Sequence, residues 1–214
     1  FSKLAASTGI PVPEADGFDR EIQVDTPFFN DVEIGGGALD WSVELSNEIV
    51  LTWINALRGY ESFSNLDGDF SLYPGIHYQT DVELEQVSSE FRIPSPVGDT
   101  FDWQLGLFYY DFEMDTAGEN GFLPLMGQNF LDPPFPGGFW PDGGVNFDTN
   151  THETTSYAAF GQANWTFAEK WRMTFGARYT AEKKARVGSQ QSRPDPIFPI
   201  DAPPIAGPNV SIDE

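Results

Sequence analysis

The chain has 214 residues, 40% of them hydrophobic, enough for one large or two small domains with a sizeable core. Its 33 acidic against 11 basic residues give a net charge of -22, which repels phosphate backbones and excludes nucleic acid as a partner. With no cysteine there are no disulfides, thiolate metal sites or thiol catalysis, and 19 Phe, 7 Tyr and 6 Trp beside 21 Gly and 17 Pro favour aromatic strands joined by turns over helices. No run approaches the roughly 20 apolar residues of a membrane helix, and the first residues lack the basic and apolar regions of a signal peptide. A spanning strand needs only about 9 to 11 residues with every second one apolar, so a mean hydropathy of -0.33 leaves a membrane open. The start at Phe1 and the Pro-rich end at Glu214 read as cuts through a longer polypeptide.

From Leu39, the residues Leu39, Trp41, Val43 and Leu45 alternate with Asp40, Ser42 and Glu44, the period of a strand with one apolar face. After a Ser46-Asn47-Glu48 turn, Ile49, Leu51, Trp53 and Leu57 share a face with Asn55, and Thr52, Arg58 and Tyr60 take the other with Val50 and Ile54. A second hairpin runs from about Asp81 to Ile93, turns through Pro94 to Asp99, and returns from Phe101 to Phe112 with Trp103, Leu105, Leu107 and Tyr109 on one face. The third runs Thr155 to Trp165, turns at Thr166 to Lys170, and continues as Trp171, Met173, Phe175, Ala177 and Tyr179 against Arg172, Thr174, Gly176, Arg178 and Thr180.

Three short turns thus alternate with long connections at about 61–80, 114–152 and 185–214, with a further loop over 1–37. Short periplasmic turns and long outer loops are the pattern of an outer-membrane barrel. Trp103 and Tyr109, Trp171 and Tyr179, and Trp165 and Tyr157 set Trp near the short turn and Tyr toward the long loop, as two interfacial girdles require. The fold expected is all-β: an antiparallel meander of about six strands within residues 39–184, part of a transmembrane β-barrel. Trp41, Leu51, Trp103, Leu105, Leu107, Phe175 and Ala177 should face lipid; Glu44, Gln104, Arg178 and Glu182 should face inward.

The stretches Leu51-Thr52-Trp53-Ile54-Asn55-Ala56-Leu57-Arg58-Gly59-Tyr60, Ser89-Glu90-Phe91-Arg92-Ile93-Pro94-Ser95-Pro96 and Phe101-Asp102-Trp103-Gln104-Leu105-Gly106-Leu107-Phe108-Tyr109-Tyr110 resemble the TonB-dependent receptor family. So do Ser156-Tyr157-Ala158-Ala159-Phe160-Gly161-Gln162-Ala163-Asn164-Trp165 and Thr174-Phe175-Gly176-Ala177-Arg178-Tyr179-Thr180-Ala181-Glu182-Lys183. Trp53, Leu57 and the loop around Pro133 to Gly144 depart from the family's usual residues. The resemblance implies a 22-stranded barrel in the outer membrane of a Gram-negative bacterium, with residues 1–214 all part of the barrel and the plug outside this chain. It also implies uptake powered by the TonB protein through a missing N-terminal region. Glu90, Arg92, Arg178 and Glu182 would then point into the lumen, where water and plug contacts satisfy charges that lipid would not.

Enzymatic chemistry is not expected: nucleophile elbow, Walker loop and dinucleotide fingerprint are all missing, and Glu83 with Glu85 is too commonplace a carboxylate pair. No cofactor or metal is expected, since His77 and His152 lie in loop or loop-edge segments without ligand-spaced neighbours, and Asp67-Gly68-Asp69 is only half of a calcium loop. Asn164-Trp165-Thr166 matches a glycosylation acceptor but sits at a strand end of a bacterial-looking chain. The loop Gly121 to Phe147 carries Phe122, Phe130, Phe135, Phe139, Trp140 and Phe147. Of these, Phe130, Phe135, Phe139 and Trp140 are the candidate ligand contacts, set against the plainer reading that the rings pack against neighbouring loops over the barrel mouth. The function expected is uptake of a scarce nutrient, a siderophore-metal chelate or other organic compound, with outer-membrane lipid, TonB and that ligand as partners. A passive outer-membrane channel and a soluble carbohydrate-binding β-sandwich are the alternatives.

Overall fold

A computed structural model describes residues 24–45, 49–68, 70, 72, 76–96, 98–122, 144–168, 171–193, 205–206 and 210–213. Six long antiparallel strands form a meander: β1 (Phe29–Glu44), β2 (Val50–Asp67), β3 (Ile76–Pro94), β4 (Phe101–Phe122), β5 (Gly144–Ala168) and β6 (Trp171–Arg193). Two short strands, β7 (Ile205–Ala206) and β8 (Val210–Asp213), pair with the upper part of β6. Each long strand pairs with its sequence neighbours, and the described residues contain no helix.

The ladder registers decide which residues share a face. Trp41 lies opposite Trp53, Trp53 opposite Phe91, Phe91 opposite Leu107, Leu107 opposite Ala159 and Ala159 opposite Tyr179. Along the six long strands odd positions pair with odd positions, apart from the bulge beside the third turn where Ala168 meets Trp171, so a single sheet face collects the apolar residue of each alternation. The expected outward set Trp41, Leu51, Trp103, Leu105, Leu107, Phe175 and Ala177 occupies this face, and Glu44, Gln104, Arg178 and Glu182 occupy the other. Nothing among the described residues packs on the apolar face: Leu39 is 66% exposed, Leu107 60% and Tyr179 75%. One sheet with a bare apolar face rules out the β-sandwich alternative, whose two sheets would bury these residues against each other.

The hairpins are staggered. The row containing Trp53 lies six residues from the centre of the first turn (53 to 47), eight from the second (91 to 99) and ten from the third (159 to 169). A shift of two residues per hairpin is one per strand. At a rise of about 3.3 Å and a strand spacing of about 4.8 Å, this tilts the strands by about 35° from the barrel axis, within the range that closure demands. Counted from the turn centres, the apolar face carries Trp171 at two residues, Trp103 and Trp165 at four, and Trp41 and Trp53 at six; Tyr109 and Tyr179 follow at ten and Tyr157 at twelve. From the lowest Trp to the highest Tyr is a rise of about 27 Å, close to the roughly 25 Å apolar band of a membrane barrel. No described residue on this face within ten residues of a turn centre is charged. Its polar members are satisfied locally, for Trp53 Nε1 donates to Ser89 Oγ at 2.8 Å and Ser89 Oγ donates to Asn55 Oδ1 at 2.9 Å.

The strands reach well past the expected boundaries. β1 begins at Phe29, not near Leu39; the connection placed at 61–80 shortens to the segment between Asp67 and Ile76; that at 114–152 shortens to the segment between Phe122 and Gly144; β6 continues to Arg193. Above the membrane both faces of a strand meet water, so the period of two fades from the side chains while the backbone ladder continues. His77 and His152, expected in loops, therefore lie within β3 and β5.

Placing a cation in the band tests the facing directly. Leu105→Arg, on the apolar face near mid-height, should cost about 2 to 4 kcal/mol of folding free energy in lipid vesicles, whereas Gln104→Arg one residue away on the opposite face should cost little. Urea titrations of the full-length protein, followed by the mobility difference between folded and heat-unfolded barrel on gels, would measure both.

Candidate ligand-facing wall

The face opposite the apolar band carries the polar chemistry. Low on it, Arg172 Nη2 pairs with Asp102 Oδ2 at 2.9 Å, Asn164 Nδ2 donates to Asp102 Oδ1 at 2.6 Å, and Thr174 Oγ1 donates to Asn164 Oδ1 at 2.8 Å, so that four side chains on three strands close one network. Higher up, Arg92 binds Glu90 on its own strand and Lys184 binds Glu182 at 2.9 Å. Such charges are stable facing a wet lumen and costly facing lipid, which fixes the inside of the wall.

Between these pairs lies an aromatic platform. Phe108, Tyr110 and Phe112, at every second residue of β4, stack with centroids 6.4 Å and 6.3 Å apart and planes within 13° and 10°. They lie beside Ala158 and Ser156 of β5, which are only 6% and 5% exposed. On the next row down the ring of Phe160 covers Gly106, where an added methyl would collide with it. Small residues under large ones are the reason the platform forms on β4 and β5. The Arg178 guanidinium rests on it, 5.2 Å from the Phe108 centroid and 5.7 Å from that of Phe160, and its Nε donates to Thr180 Oγ1 at 3.1 Å. Beside Arg178 is an open recess of about 400 Å³ over Gly176, walled by Gln104, Gln162 and Phe160. A second recess of about 420 Å³ belongs to the lipid side, where Tyr109, Tyr157 and Tyr179 stand around Ala159 and Ala181.

The candidate ligand contacts Phe130, Phe135, Phe139 and Trp140 lie outside the described residues. The strand ends that carry them are paired, Phe122 with Gly144, so the segment 123–143 springs from the outer rim between β4 and β5. Asp67 of the Asp-Gly-Asp stretch, expected as an exposed acidic turn, is instead fully buried and accepts hydrogen bonds from the Asp25 and Phe70 backbone N–H groups at 3.0 Å and 2.7 Å, which makes it the cap of the turn that Phe70 enters with φ 52°. His77 Nε2 lies 3.6 Å from Glu119 Oε1, and the described residues contain no group of three or more side chains placed to hold a metal ion.

Above the Tyr girdle the lipid-side face turns acidic. Glu33, Glu61, Glu83 and Asp115 stand in one cross-strand row, and Glu85, Glu113 and Glu153 in the next. Carboxylates directly opposite one another repel, and only the continuous ladder holds them there.

A family model described as TonB dependent receptor-like, beta-barrel matches residues 5–197, most of the chain. The chain belongs to the TonB-dependent receptor family. A search of curated proteins finds no match. Receptors of this family are transporters of the bacterial outer membrane that work with TonB, in keeping with a wall whose one face is free of charge over the thickness of a bilayer. Sequence reading placed Arg178 on the inner face; it missed the platform, because the register that lays Phe108 and Tyr110 beside Ala158 and Ser156 was not visible.

Two substitutions probe the wall. Gly106→Ala should displace the Phe160 ring and destabilise the barrel by about 1 to 3 kcal/mol, read from its urea midpoint. Glu83→Gln should slow hydrogen exchange in the upper half of β3, since it removes a charge flanked on both sides by carboxylates, and the gain should shrink as salt rises from about 0.05 M to about 0.5 M.

Proposed function

We propose that this wall belongs to an active uptake receptor that captures a scarce nutrient outside the cell, a siderophore-metal chelate or another organic compound, and releases it inward on a TonB-driven movement. The observation that carries the reading is the division of the sheet into a charge-free lipid face and a lumen face bearing paired charges and a stacked aromatic platform, within a chain of this receptor family. The chain contributes barrel wall over 1–214, and the plug and the TonB-contacting segment belong to parts of the receptor outside it. The region 114–152 forms part of the outer vestibule, with Phe130, Phe135, Phe139 and Trp140 offering rings on which a ligand stacks. Catalysis plays no part.

Energy dependence separates this reading from a passive channel. Cells lacking the receptor, screened for impaired growth under limitation of single nutrients, give the ligand; its uptake by the restored receptor should be lost when TonB is deleted. Uptake that persists without TonB means a channel and overturns the proposal. Deleting residues 123–143 between the paired ends Phe122 and Gly144 should weaken binding of that ligand by about tenfold or more and leave barrel assembly intact, because the flanking ladder is unchanged. Wild-type binding and uptake in correctly inserted deletion receptor would remove the vestibule role alone.

A further inference from the structure

The carboxylates near Arg178 on the lumen face are already engaged. Asp102 holds Arg172 and Asn164, Glu90 holds Arg92, and Glu182, four residues along the same strand, holds Lys184. Arg178 has no carboxylate partner among the described residues, in a chain where acids outnumber bases three to one. Its Nε is used by Thr180 and its guanidinium carbon lies over the Phe108 and Phe160 rings, so its two terminal nitrogens remain as a pair of donors. Arg178 also lines the recess over Gly176, where Gln104 and Gln162 stand side by side in one cross-strand row with that glycine and add amide donors and acceptors. Gly176 leaves the floor open, and Phe160 supplies an apolar wall.

A guanidinium held over aromatic rings keeps its charge, loses little conformational freedom on binding, and offers the fork that matches a carboxylate with two hydrogen bonds. Its height counts as well. Arg178 is nine residues from its turn centre, immediately below the Tyr girdle, on the side reached first by a solute entering from outside. From these features together we infer that the recess over Gly176 is a binding subsite for a small-molecule carboxylate, with Arg178 gripping the acid, Gln104 and Gln162 reading adjacent polar atoms, and Phe160 stacking against a planar part of the same molecule. The inference rests on the uptake reading for its place on the import path, and it adds that the solute, or the chelator around a metal, carries a carboxylate.

The test uses the full-length receptor purified in detergent, with 4-fluorobenzoate as probe and 4-fluorobenzamide, its uncharged analogue, as control, both followed by fluorine NMR. The acid should bind in the millimolar range, the amide about tenfold more weakly, and Arg178→Gln should abolish the difference without changing the folded mobility of the barrel. Gln104→Ala should weaken the acid by a smaller factor. Equal binding of acid and amide, unchanged binding in Arg178→Gln, or no binding of the acid up to about 10 mM overturns the inference. An acidic side chain from elsewhere in the receptor filling the recess would produce the last of these results. Failure of the uptake reading is separate: a receptor whose transport persists without TonB can still show Arg178-dependent binding of the acid, whereas a TonB-dependent receptor that is indifferent to Arg178 loses only the subsite.

Discussion

Inside a hydrocarbon layer a backbone N–H or C=O finds no water, so each must bond to a neighbouring strand, and the whole wall depends on an unbroken antiparallel ladder. Everything else in the sheet is arranged around that demand. Once the ladder is continuous, its register alone decides what lipid touches, and here odd pairs with odd from Trp41 to Tyr179. A slip of one residue at the third hairpin would turn Arg172 and Arg178 toward lipid at a stroke, which is how charged lumen residues also serve to enforce the register.

The two faces solve opposite packing problems. Lipid fills the outer face, so large side chains such as Leu107 and Tyr179 stand out from the sheet with most of their surface bare of protein. The inner face must make its own order, and does so by laying long side chains over short ones on adjacent strands: Phe160 over Gly106, and the Phe108–Tyr110 stack beside Ala158 and Ser156. The rigidity of this layer comes from ring stacking and from Arg178, a cation whose solvation is partly replaced by the faces of two phenylalanines.

How much of this was legible depended on what each stretch of strand faces. Within the membrane a strand meets lipid on one side and water on the other, so Trp171 to Thr180 and Phe101 to Tyr109 wrote the alternation plainly, and hairpin order, facing and the girdles followed. Farther out, Asp115, Thr116 and Gly118 oppose Thr151, Asn150 and Asp148 with water on both sides, and a pattern search sees only polar sequence. The strands there exist because the ladder begun in the membrane propagates, a tertiary cause with little trace in the side chains. The lumen platform was hidden for another reason: which small residue sits beside which ring is set by a register spanning about 50 residues between Phe108 and Ala158. Asn55, which interrupts the apolar face of its strand, is joined to Ser89 and through it to the Trp53 indole and so costs that face little.

The step of two residues between successive turns has a consequence for adaptation. A strand can be lengthened inside the bilayer only by residue pairs, because a single insertion would exchange its faces, and each pair at a tilt of about 35° adds about 5 Å of hydrophobic height. Bilayers differ in thickness by a few ångströms. A wall built this way matches its membrane in coarse increments and leaves the remainder to the rings at its two borders: indoles and phenols, apolar at one end and hydrogen-bonding at the other, tolerate being a few ångströms too deep or too shallow.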